Sequence, residues 1–168
     1  EGTLLLTRAP GYVLVTHDVD ADDFVNRVRE GRSLLDTDPA AASMVIGEAL
    51  SLWRGRAYEE FTYERWAQSE IEHLTEARLA AVESRIQADL DRGMAGELIG
   101  ELGSLVREHP LRERFSAQLM IALYRSGRQA EALRAYRMLA ERLADELAIT
   151  PSAEVRHLEE RMVMADPL

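Results

Sequence analysis

Residues 93–110, GMAGELIGELGSLVREHP, and residues 127–136, GRQAEALRAY, decide the fold. Each stretch opens on a glycine, and Gly93 and Gly127 stand 34 residues apart. Five and nine positions after Gly93 come Leu98 and Leu102; at the same offsets after Gly127 come Ala132 and Tyr136. Pro110 closes the first stretch, 17 residues beyond its glycine. Glycine tolerates the left-handed backbone of a tight turn between antiparallel helices; a small residue lets the helices approach, and a larger one fills the gap. Helix pairs at a fixed interval bury their apolar faces by stacking on one another, so the period reads as a helical solenoid.

A third unit lies further upstream, with Thr37 at the turn, then Ala42, Ile46 and the late pair Ala49-Leu50. It precedes Gly93 by 56 residues, and the excess over 34 falls on a loop and a lengthened helix between residues 54 and 78. The offsets are those of the tetratricopeptide motif. The expected class is therefore all-α: a tetratricopeptide-like α-solenoid of about three helix pairs plus a C-terminal helix. The competing reading is a helical bundle without a repeat.

The helices follow from their start and stop signals. Asp20 is placed to cap a helix carrying Phe24, Val25, Val28 and Leu34-Leu35, and Asp38-Pro39 starts the next, which ends near Trp53-Arg54-Gly55. From Glu64 to Arg92 the pattern runs through Trp66, Ile71, Leu74, Leu79, Val82, Ile86 and Leu90. That length is unusual for a globular helix, so a break or bend is expected. Later helices end at His109-Pro110 and at Gly127, another covers about 128–147, and Thr150-Pro151-Ser152 starts the last. Ahead of them all, Thr3–Thr16 reads as a β-hairpin turning at Arg8-Ala9-Pro10-Gly11. A lone hairpin is marginally stable, so it needs a partner.

Composition narrows the function. The 168 residues are enough for one well-buried core, and 46% are hydrophobic. No apolar run reaches the ~18 residues of a membrane span, and nothing resembles a signal peptide. Opening on Glu1 leads us to expect sequence upstream. The absence of cysteine removes thiolate chemistry and fits a reducing compartment, so the expected location is the cytoplasm. A net charge of −10 argues against non-specific nucleic-acid binding by the whole chain, because phosphate contacts supply that affinity.

Trp53-Arg54-Gly55, Trp66-Ala67, Arg78-Leu79 and His109 to Arg114 form a series that continues with Leu123 to Leu133 and Thr150-Pro151-Ser152. Together they resemble the bacterial transcriptional activator domain of SARP-type regulators of actinobacteria, from about Asp18 to Val163. The resemblance implies a division into residues 1–17, the remnant wing of an OmpR-type winged helix-turn-helix, and residues 18–168, the activator domain. It implies protein partners, through self-association or RNA polymerase, and promoter DNA held only by the missing upstream fold. The alternative is a stand-alone tetratricopeptide scaffold that binds peptides in signalling.

On this reading Arg8, on the wing, is the DNA-contacting candidate, against an ordinary solvated turn residue. The solenoid's concave face supplies the partner-binding candidates: Arg27, Glu83, Gln87, Asp91, Arg114, Tyr124 and Arg125. Arginine and tyrosine suit such a face because they combine large contact area with directional donors. Trp53, Trp66 and Tyr136 read as core. Asp18, Asp20 and Asp22 have the first spacings of a calcium loop, but Asp23 stands where glycine is needed and Arg29 where glutamate is needed. Glu70 and His73 form one Glu-x-x-His where a di-metal bundle needs two. With no phosphate loop and no nucleophile elbow, no metal, cofactor or catalysis is expected.

Overall fold

The computed structural model describes residues 4–15 and 19–166. By compactness the chain divides between Val82 and Glu83, and each unit is taken in turn.

The first unit opens with strands β1 (Leu4–Arg8) and β2 (Gly11–Val15), antiparallel with Thr7 opposite Tyr12 and Arg8 opposite Gly11. Helices α1 (Asp20–Ser33) and α2 (Pro39–Ser51) pack as a pair. Asp20 is not the cap: it is the first helical residue, and Val19 precedes it without a capping side chain. Asp38 does cap α2, its carboxylate accepting from the Ala41 N–H at 3.0 Å, with Pro39 in the first turn where a missing N–H costs nothing. The pair closes tightly because Gly31 is buried against Ile46; a Cβ there would overlap the isoleucine side chain. Phe24, Val28, Ile46 and Ala49 form the core with Ala81 of helix α3 (Arg65–Asp91). Trp53 packs on its edge, its ring centre 5.5 Å from that of Phe24 and 5.0 Å from the Arg78 guanidinium.

Helix α3 corrects one expectation. It runs from Arg65 to Asp91 without a break, since no glycine or proline interrupts those residues. Trp66 corrects another. It is 63% exposed rather than core, because Ala67 takes the buried position and the indole lies against Tyr58 and Phe61, at 6.1 and 5.3 Å between ring centres.

The second unit holds the end of α3 with α4 (Ala95–Glu108), α5 (Glu113–Arg125), α6 (Gln129–Leu147) and α7 (Ala153–Val163). Gly93 and Gly127 have φ of +81° and +75° and end their helices identically. The Gly93 N–H donates to the Leu90 carbonyl and Met94 to Asp89; Gly127 donates to Tyr124 and Arg128 to Leu123, all at 2.9–3.0 Å. This is the Schellman cap, which satisfies carbonyls the helix end leaves open. Met120, Leu123, Ala132, Leu139, Leu143, Val155 and Met162 build the core, with Leu133, Tyr136 and Leu158 half-buried against it. Burial, reinforced by the charge of Glu159, pushes the Tyr136 hydroxyl above its ordinary pKa. Ser152 caps α7, and the Ser152 N–H donates to the Glu113 carboxylate at 2.7 Å. Among the described residues seven helices follow the hairpin, the all-α, tetratricopeptide-like order expected from the repeat.

Candidate functional site

Arg8 ends β1 at the hairpin turn, and its side chain is exposed. Arg27, midway along α1, donates to Glu48 of α2 at 3.1 Å across the pair, with both side chains about half exposed. An ion pair so placed contributes at most about 1 kcal/mol and leaves the guanidinium accessible.

The other six candidates lie in the second unit, where the structure sorts them. Glu83 is 8% exposed, so it does not face a partner as expected. Its carboxylate takes the Arg112 guanidinium and lies 3.8 Å from Arg114, while its carbonyl accepts from the Gln118 amide at 2.8 Å. A buried carboxylate persists only when paired, and Glu83 is held by cations from the α4–α5 connection and the start of α5. Arg125 donates to the Leu90 carbonyl at 2.7 Å, so it serves the C-terminus of α3. The Tyr124 hydroxyl reaches the Asp166 carbonyl at 3.0 Å and ties α5 to the residues after α7. Gln87 donates to Asp91 at 3.0 Å, one turn along the same helix. Among the six, Glu83 is brought to Arg114 and Gln87 to Asp91; Arg114 and Asp91 keep exposed surface.

Sequence reasoning missed the groups that organise this region. Asp89 is buried and gathers Arg85 at 3.0 Å and Arg92 at 2.9 Å; Arg85 also reaches Glu101 of α4. Arg112 additionally lies 5.6 Å from the Phe115 ring centre. The signal for Arg112 stood in the His109-Pro110-Leu111-Arg112 block, whose proline ends α4 and starts the turn. For Asp89 the signal was its spacing of four from Arg85 and three from Arg92 on one helix face.

In the first unit, the loop between α2 and α3 lines a cleft of about 320 Å³ with the start of α1. Nothing in the period of the helices marks it. Its nearest sequence signal is the aromatic run Tyr58, Phe61, Tyr63 and Trp66, all exposed.

Among the described residues no group of three or more His, Cys, Asp or Glu side chains is arranged to hold a metal ion. Asp18 of the calcium-like run lies outside the described residues. No described helix is long and apolar enough to cross a membrane.

Comparison with known proteins supplies the family. The model of the bacterial transcriptional activator domain matches residues 19–163. The transcriptional regulator RedD of Streptomyces coelicolor is 37% identical over 99% of this chain and 48% of its own length. The regulatory protein DnrI of Streptomyces peucetius is 36% identical over 98% of this chain and 61% of its own. A solved structure of Mycobacterium tuberculosis EmbR, in complex with a low-affinity phosphopeptide, matches with a TM-score of 0.93 at 34% identity, covering 98% of this chain and 44% of that one. The chain thus spans about half the length of the curated relatives it matches. Its helix pairs, its glycine turns and its relatives agree: the chain belongs to the bacterial transcriptional activator domain family, the regulatory helical domain of SARP-type transcriptional regulators.

Proposed function

We propose that the chain is the partner-binding module of a cytoplasmic activator, engaging a second copy of itself or RNA polymerase, with no catalytic step. Promoter DNA is held by a winged-helix domain upstream, and Leu4–Val15 is the end of its wing. The observation that carries this reading is the hairpin ahead of the family match. Leu5, Leu6 and Tyr12 are 62%, 45% and 73% exposed, apolar surface that an isolated two-stranded sheet does not sustain in water. The rest of the chain is unsuited to DNA. It carries a net charge of −10, and a specific complex draws on several phosphate contacts plus a helix or ribbon reading base edges.

A gel-shift titration tests the division of labour. The 168-residue chain leaves duplex DNA unshifted at physiological salt, whereas the parent protein with its upstream sequence shifts its promoter, with affinity falling steeply as salt rises. In the parent, Arg8→Ala weakens binding with little change in sequence preference. Sequence-specific retention by the 168-residue chain alone, against excess competitor, contradicts the assignment.

A further inference from the structure

The cleft of the first unit combines features that the partner-binding reading does not use. Phe24, Leu52 and Leu74 give it apolar lining, and the rings of Trp53 and Tyr58 stand beside them. Arg54 and Arg56 line it as well; Asp20 lies 3.8 Å from Arg54, and the Glu59 carboxylate stands close to the lining residue Gly55. Arg56 has no ion-pair partner among the described residues. With Arg54 facing Asp20, Arg56 is the cation this cleft has free for a ligand.

Tyr58 adds an independent observation. Its φ of +49° and ψ of +42° place a bulky non-glycine residue in the left-handed region. Such strain costs of order 1–3 kcal/mol and persists where the surroundings hold it, commonly at ligand clamps. The contact holding this ring is Trp66, edge-on at 6.1 Å, so the loop is organised around an aromatic wall of the cleft. At about 320 Å³ the space is within the range of small-molecule sites.

We propose that this cleft binds a small aromatic anion, its flat body against Trp53 and Tyr58 and its acidic group at Arg56. Rings are matched to rings by offset or edge contact, and a guanidinium offers an acidic group paired donors in one plane. Such a ligand is held by residues of the first unit alone.

The test uses the 168-residue chain and two fluorescent probes of one shape and different charge: 1-anilinonaphthalene-8-sulfonate and the uncharged N-phenyl-1-naphthylamine. The sulfonate binds saturably and more tightly than the neutral probe, and its affinity falls with added salt. Amide resonance changes in a two-dimensional NMR titration centre on residues 19–21, 52–58 and 74. Arg56→Glu weakens the sulfonate about tenfold, a size set by reversing one charge near the ligand, and leaves the neutral probe unchanged. Arg56→Gln, which cannot disturb the fold by charge repulsion, gives a smaller loss in the same direction. Equal affinity for the two probes, no effect of either Arg56 variant, or resonance changes centred elsewhere overturns the proposal.

Discussion

Gly127 and Gly93 carry the repeat at the level of single residues, and the sequence showed them through spacing alone. A Cβ on Gly127 meets nothing within 4 Å, so the demand for glycine there comes from φ and not from crowding. Gly127→Val is accordingly expected to destabilise by about 1–2 kcal/mol, while Gly127→Asn loses less because asparagine tolerates the left-handed region. Chemical denaturation of both variants checks the difference, and equal losses point to a steric cause instead. Ala148 occupies the same conformation, φ +55°, at the end of α6, with its N–H on the Ala144 carbonyl. Ala148→Gly is expected to raise stability by about 0.5–1 kcal/mol, read as a higher denaturation midpoint. The left-handed ends at Ala148 and Tyr58 were not legible in the sequence, because neither residue type announces a positive φ. The same blindness hid Glu83: a glutamate on a helix reads as a solvated face until its cations, 29 and 31 positions away, are seen beside it.

Among the elements, period was legible and termini less so. Pro39, Pro110 and the glycine turns set helix limits close to those observed, since each acts on its own backbone. Asp20 misled because an aspartate suits both the cap and the first turn, where it also meets the helix dipole favourably. Trp66 misled because its place in an apolar series is satisfied by Ala67 beside it, which a period of 3.6 does not separate cleanly at a helix start. The α1–α2 pair offers the sharpest test of helix packing. Gly31 is buried where a Cβ would overlap Ile46, so Gly31→Ala is expected to cost about 1–3 kcal/mol through overpacking. Removing the overlapping Cγ1 in the double variant Gly31→Ala with Ile46→Ala should cost less than the sum of the two single changes, a coupling that a thermodynamic cycle measures. Additive losses place the two residues out of contact and undo this account of the pair.

At the scale of the whole molecule, charge and family point the same way. A net charge of −10 fits a domain that meets proteins, and the match over residues 19–163 places it among regulatory domains that occupy part of longer regulators. The proposed partner face was only partly legible. Residue types suggested it, yet Glu83 is buried and Tyr124 and Arg125 bond to backbone carbonyls of the second unit, while Arg114, Asp91 and Arg125 keep exposed surface. Burial and long-range hydrogen bonds, which no single sequence displays, made that separation. The most direct test of the central claim takes promoter choice out of the question by fusing the 168-residue chain to a heterologous DNA-binding domain and measuring transcription in vitro from a promoter bearing that domain's operator. The fusion is expected to raise transcription several-fold over the DNA-binding domain alone, and Arg114→Ala with Asp91→Ala to reduce the gain without altering the circular dichroism spectrum. A folded, operator-bound fusion that leaves transcription at the level of the DNA-binding domain alone contradicts the account.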